Sequence, residues 1–127
     1  LELMRRRLGA ATGAEAASML LETNDWNHLL ILEGQDGVTI HSTNTETVHV
    51  QCMLEEIRQM IGLIDAAAVA VATAITLGLS VEETAHIANA ASECILVADR
   101  TDRFVLRLDD MIDRIGEIAW SLQVSKR

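Results

Sequence analysis

The chain has 127 residues, enough for one compact domain with a real core or for a piece of a larger one. Ten Lys and Arg against nineteen Asp and Glu leave a net charge of −9, which argues against gripping nucleic-acid phosphate or anionic lipid. Half of the residues are hydrophobic, which excludes a disordered chain, and Trp26, Phe104 and Trp120 are too few aromatics for a base-stacking platform.

The sequence contains no proline, which speaks against a loop-rich or all-β protein. Cys52 and Cys94 do not make a disulfide framework, so a reduced, cytoplasmic setting is the simplest expectation. The longest apolar stretch, Ala66 to Ala72, is far short of a bilayer span, and Leu1 to Gly13 lacks the apolar run of a signal peptide.

In chain order, a first helix is expected over Leu1–Leu8, ended by Gly9. Thr12-Gly-Ala-Glu15 has the spacing of a capping box and opens a second helix that stops near Asn24. The period then changes. His28-Leu-Leu-Ile-Leu32 reads as a buried strand, Gly34-Gln-Asp-Gly37 as turn chemistry, and Val38-Thr-Ile-His41 as a second strand. Ser42 to Thr45 reads as a polar turn and Thr47-Val-His-Val50 as a third strand.

From Met53 the signal becomes helical. Ala66 to Leu77 is expected as an Ala-rich helix buried on most sides, with Gly78 after its end. Ser80-Val-Glu-Glu83 is a second capping box, opening a helix through Ile87, Ala90, Ala91 and Ile95. Phe104-Val-Leu106 reads as a short strand, and Leu108 to Leu122 as an amphipathic closing helix with Met111, Ile112, Ile115, Ile118 and Ala119 on one face. Alternation of strands and helices predicts an α/β layer structure. One stretch resists it: Glu55, Glu56, Arg58 and Gln59 are good helix formers, so local propensity alone runs one helix from Met53 to Leu77.

The segment Leu29-Leu-Ile-Leu-Glu-Gly-Gln-Asp-Gly-Val-Thr-Ile40 resembles the strand–turn–strand of ribokinase-like carbohydrate kinases. Gly62-Leu-Ile-Asp65 falls where that family has Gly-Ala-Gly-Asp, and an Ala-rich helix, Leu77-Gly-Leu-Ser-Val-Glu-Glu83 and Ala88-Asn-Ala-Ala91 follow in the family's order. Val48-His-Val50 followed by Glu56-Ile57 looks most like the heptose-phosphate kinase domain of the bacterial ADP-heptose pathway. The resemblance covers roughly Ala14 to Ala119.

It implies a three-layer, Rossmann-like (ribokinase-like) α/β partial domain with a small sheet flanked by helices. Residues 1–127 would form a single truncated domain, without the half that binds sugar and carries the lid. It also implies ATP with Mg2+ as phosphoryl donor if the chain is active. The backbone amides of Gly62, Leu63 and Ile64, at a helix N-terminus, would form an anion hole. Asp65 would deprotonate the sugar hydroxyl as catalytic residue. Gly34 and Gly37 would border the nucleotide, and Asn89 would line the adenine pocket. Arg100-Thr101 stands where the family has Gly-Thr.

This sequence departs from the pattern at several points. Ile64 replaces a glycine, and a β-branched residue disfavours positive φ and would crowd a phosphate. Gln59-Met-Ile61 replaces a polar Asp-Thr-Thr or Asp-Val-Thr, and Glu33 puts negative charge where ATP phosphates would lie. Transfer by this chain alone should therefore be very slow, since phosphoryl transfer depends on positioning and charge stabilisation.

Plainer readings stand beside these. Asp65 is a favoured N-cap residue, and Asn89 can be a buried polar group bonded to backbone. His28, His41, His49 and His86 have no metal spacing, so no metal site is expected. Cys52 and Cys94 read as small core residues. A non-catalytic scaffold is the alternative function, and the partner is expected to be a nucleotide, a second copy in a homodimer, or a complementary kinase half.

Overall fold

A computed structural model describes residues 2–98 and 107–125. Helix α1 spans Glu2–Leu8 and α2 spans Gly13–Asn24. Strands β1 (His28–Leu32), β2 (Val38–Ser42) and β3 (Val48–Val50) follow. Helices α3 (Leu63–Thr76), α4 (Val81–Val97) and α5 (Leu108–Ser125) complete the chain. The expected strand at Phe104–Leu106 and the pair Arg100-Thr101 lie outside the described residues.

The strands form an antiparallel sheet in the order β1-β2-β3. Leu30 pairs with Ile40, and Ile40 with Val48. The β1–β2 turn is tight: Gly37 has φ +99, and a Cβ there would stand 2.0 Å from the Val50 carbonyl oxygen, so only glycine fits. One sheet face presents Leu30, Ile40, Val48 and Val50, which pack with Val81 and Ala85 of α4. Helix α2 lies against β1 and β2 on its buried Ala16, Ala17 and Leu21. A small sheet between helices is the α/β architecture the sequence predicts.

Helices α3 and α4 form the most extensive contact in the fold. Their facing residues are mostly alanines: Ala66, Ala67, Ala70 and Ala74 on α3 and Ala85, Ala88 and Ala91 on α4 are all buried. Small side chains let two helices approach closely, and many dispersion contacts replace a few large ones.

Both predicted caps form. Thr12 Oγ1 accepts from Glu15 N–H at 3.1 Å, although the Glu15 carboxylate turns back to Ala11 N–H rather than to Thr12. Ser80 and Glu83 close a complete capping box. Asp25 ends α2 in the left-handed region at φ 55, with Trp26 N–H donating to Leu21 O.

Three expectations need correction. Helix α3 begins at Leu63, three residues before the alanine run, and its N-cap is Gly62 at φ +85, so Asp65 does not cap it. It is buried on one face only, with Ile64, Val69 and Ile75 exposed. Between β3 and α3 the chain follows the extended segment and sharp turn that the family resemblance requires, not the single Met53–Leu77 helix of local propensity: residues 51–60 are non-helical and a turn occupies 61–62. Tertiary bonds explain why. Met53 N–H donates to Glu93 Oε1 at 2.9 Å, and Arg58 N–H to Leu96 O at 2.9 Å. Gln59 Nε2 donates to Ile95 O while Gln59 Oε1 accepts from Ile61 N–H. Backbone groups satisfied by α4 have no need of a helix of their own.

Candidate functional site

The turn Gly34–Asp36, the extended segment 51–62 and the start of α3 meet at one end of the sheet. Leu32 packs against the cluster holding Cys52 and Leu63. A Cβ on Gly34 would stand 3.7 Å from Met60 Cε. Gln35 Nε2 donates to Glu55 O at 3.0 Å. The fold therefore brings Gly34 to Met60 and Gly37 to residues 50–52, while Leu63 shares a cluster with Leu32; Ile64 and Asp65 are on the exposed side of α3.

Helix α3 is 14 residues long and opens at a left-handed Gly62. A helix N-terminus favours an anion through its free amides, but Leu63 N–H already donates to Met60 O at 3.3 Å. Ile64 sits inside the helix with ordinary φ, so the backbone strain anticipated for a β-branched residue does not arise. Its side chain is 74% exposed, and Met60 and Ile61 beside it are also exposed. Asp65 is exposed in the first turn. The end of α3 thus presents apolar surface and a carboxylate, with Gly62 as its one side-chain-free position.

Glu33 is committed elsewhere. Its carboxylate accepts from Thr39 Oγ1 at 2.8 Å and lies 3.6 Å from His49 Nδ1. His41, next to them on β2, has its pKa lowered by burial, with Glu33 acting the other way. Among the described residues, no group of three His, Cys, Asp or Glu side chains could hold a metal ion, and no helix is long and apolar enough to cross a membrane.

Asn89 lies behind segment 51–62, 1% exposed on α4. Its Nδ2 donates to Gln51 O at 3.4 Å and to Glu93 Oε2 at 3.3 Å, and its Oδ1 has no partner. Glu93 is the residue that sequence reasoning missed. It is fully buried; its Oε1 accepts from Met53 N–H and lies 3.3 Å from Arg114 Nη2. One carboxylate joins α4, α5 and the extended segment. Its signal was available in the sequence: Glu93 follows Asn89 by one helical turn on a face otherwise made of Ala85, Ala88 and Leu96. A charge on such a face demands a partner. Burial pushes the thiol of Cys52 up, and that of Cys94 up to about 11, so neither is a reactive thiol.

No protein-family model matches the chain. In sequence it is similar to the bifunctional protein HldE of Trichlorobacter lovleyi, with 30% identity over 78 residues, 61% of this chain and 16% of that protein. In structure it is similar to phosphofructokinase-2 from Escherichia coli in complex with potassium, with a TM-score of 0.75, 12% identity, and coverage of 93% of this chain and 39% of that one. Ribokinase from Thermotoga maritima aligns with a TM-score of 0.71 and 19% identity, over 91% of this chain and 38% of that one. Arabidopsis thaliana ribokinase complexed with ribose and ATP aligns with a TM-score of 0.69 and 15% identity, over 84% and 35%. The chain spans about two fifths of these solved structures and about one sixth of the curated relative. Its fold is part of the ribokinase-like carbohydrate-kinase fold, and the similarity to HldE bears out the family resemblance drawn from its motifs.

Proposed function

We propose that this chain is a sugar-kinase-like half-domain, of the heptose-phosphate kinase type, that does not transfer phosphoryl groups by itself and works as a protein-binding scaffold. One observation carries this reading: the apolar flank of α3 begins at the helix N-terminus with exposed Ile64, where an anion hole would have to be open and polar. Phosphoryl transfer needs donors aimed at developing negative charge, and a removed oxyanion donor typically costs about 100- to 1,000-fold in rate. Here Ile64 puts bulk and apolar surface where the family motif has a glycine. A β-branched side chain facing solvent at such a point is better suited to covering by protein.

A second reading is favoured by the meeting of Gly34 with the start of α3: the segment retains nucleotide affinity, and a complementary half or a second polypeptide supplies the sugar site. In that case Asp65 is the catalytic base, and the Gly62, Leu63 and Ile64 amides receive the phosphoryl group. Gly34 and Gly37 then border ATP with Mg2+. Asn89 acts from behind, holding Gln51 O and Glu93, rather than as a pocket wall.

Calorimetric titration with MgATP and ADP separates the two. The scaffold reading expects no binding at millimolar nucleotide in the natural chain and none in Ile64→Gly. Micromolar binding, or binding that appears in Ile64→Gly and is lost in Ile64→Gly combined with Asp65→Asn, would overturn it in favour of the nucleotide reading. Thermal stabilisation by ligand follows RT ln(1 + [L]/Kd) and gives an independent check.

A further inference from the structure

We propose that Arg114 of α5 is a positioning residue: by balancing the buried charge of Glu93 it holds residues 51–55 in place, and so links the docking of α5 to the hairpin turn at Gly34–Asp36. This link goes beyond the functional reading above and is the same under either of its two forms.

Asn89 and Glu93, one turn apart on α4, stand in for a neighbouring strand. Along extended backbone, the C=O of one residue and the N–H two residues on face the same side. Asn89 Nδ2 donates to Gln51 O at 3.4 Å, and Glu93 Oε1 accepts from Met53 N–H at 2.9 Å. Asn89 Nδ2 also donates to Glu93 Oε2 at 3.3 Å, which ties the two side chains together. The thiol of Cys52, between the two backbone groups, donates to Glu93 Oε1 at 3.7 Å.

This clamp places a full charge in the interior. The Glu93 side chain is 0% exposed, and a buried carboxylate is strongly disfavoured unless a cation lies against it. Arg114 Nη2 lies 3.3 Å from Glu93 Oε1, and among the described residues it is the cation paired with that carboxylate. Arg114 is braced from the solvent side, where its Nη1 donates to Glu117 Oε2 at 2.8 Å. Without Arg114 the carboxylate is left as an unpaired buried charge. Its relief is to turn away from the interior, which breaks the bond to Met53 N–H.

The far half of the segment is attached differently. Arg58 N–H donates to Leu96 O at 2.9 Å, and Gln59 Nε2 donates to Ile95 O. Those acceptors are neutral carbonyls in the last turn of α4, and their bonds need no buried charge. Only the near half, residues 51–55, depends on Arg114. That half also grips the hairpin: Gln35 Nε2 donates to Glu55 O at 3.0 Å, and Gln51 Nε2 to Gln35 O at 3.5 Å. A continuous path of bonded groups therefore runs from Arg114 through Glu93 and residues 51–55 to Gln35. Contiguity alone is not coupling, and the charge dependence of the first step is what an experiment can isolate.

Amide exchange on the full chain, followed residue by residue by NMR, tests this. In Arg114→Met the Met53 amide should exchange at least about 10-fold faster while the Arg58 amide stays within about 2-fold, because local opening exposes only the bonds that open. The side-chain amide signals of Gln35 should shift as Met53 loosens. Arg114→Lys keeps the charge on a flexible stem and should restore most of the protection at Met53. Glu93→Gln removes the charge that Arg114 balances, so in that background Arg114→Met should change Met53 exchange by less than about 3-fold. An Arg114→Met chain that fails to fold, where the Glu93→Gln, Arg114→Met chain folds, supports the proposal in the same way. Equal acceleration at Met53 and Arg58 overturns it, and so does unchanged protection at Met53. An effect of Arg114→Met that is just as large in the Glu93→Gln background, or failure of both chains to fold, reduces Arg114 to packing and overturns it too. Gln35 signals that stay in place while Met53 loosens overturn the link to the turn.

Discussion

Helices α3 and α4 lie against each other, yet they treat composition in opposite ways. Helix α3, Leu63–Thr76, is the more apolar, with one ionisable side chain, Asp65; it leaves Ile64, Val69 and Ile75 in solvent. Helix α4, Val81–Val97, carries Glu82, Glu83, His86 and Glu93, and it buries ten residues, Asn89, Ser92 and Glu93 among them. Composition describes what a helix could bury, and position in the fold decides what it does bury. Helix α4 has the sheet, α3, α5 and segment 51–62 around it. Helix α3 has α4 on one face and nothing described on the flank beyond β1. The contrast says that α4 is finished within this chain and α3 is not.

The largest expected effect tests the finished helix. Glu93→Ala takes the acceptor from Met53 N–H and one of two acceptors from both Arg114 and Asn89 Nδ2. Removing one partner of a buried pair typically costs about 3–5 kcal/mol, a large share of a small domain's stability. Urea unfolding should show a mostly unfolded chain at 37 °C, with Glu93→Gln intermediate because it can still accept from Met53. A cost below about 1 kcal/mol for Glu93→Ala would mean that α4 is not held as described.

The next effect sets the two faces of α3 against each other. Ala67→Leu forces a larger side chain into the closed contact with α4 and should cost about 1–3 kcal/mol. Val69→Gln changes an exposed position and should stay within about 0.5 kcal/mol in the monomer. Equal costs at both positions would erase the contrast.

Gln59 measures the link between the helices. Its side chain bonds both Ile95 O and Ile61 N–H, so Gln59→Ala strands an amide at the entry to α3 and leaves Ile95 O with Ala98 N–H alone. A loss of about 1–3 kcal/mol is expected by thermal unfolding. Helix content should not rise. If it did, 53–62 would be free to follow its propensity.

This pattern explains what was legible in the sequence. Both N-caps, the complete capping box at Ser80, the glycine turn of the hairpin and all three strands were readable, because caps, turns and alternation are written within a few residues of where they act. Segment 51–62 was readable only through a family resemblance. Its backbone bonds go to Glu93, Ile95 and Leu96, some forty residues away, and no local rule carries that information. The exposure of α3 was misread for the same reason, since an apolar run reports affinity for a core and not the presence of one. At the candidate site, the residue types Gly62, Ile64 and Asp65 were plain. The ordinary φ of Ile64 and the inward commitment of Asn89 and Glu33 depend on partners that only the fold supplies.

The smallest expected effect changes reactivity and leaves stability alone. Cys94 lies on α4, half-buried, and burial with Asp110 and other carboxylates nearby pushes its thiol up to about 11. The thiolate is the nucleophile, so at pH 8 its alkylation by iodoacetamide should be roughly two orders of magnitude slower than that of an ordinary thiol with a pKa of about 8.5. The rate should keep rising with pH well past the point where an ordinary thiol levels off. Ala68→Cys, placed on the open flank of α3, provides the comparison within the same molecule. Under dilute conditions it should react at the ordinary rate. If Ala68→Cys is as slow as Cys94 at every dilution, then α3 is covered in the monomer itself. The difference between the two helices would then vanish.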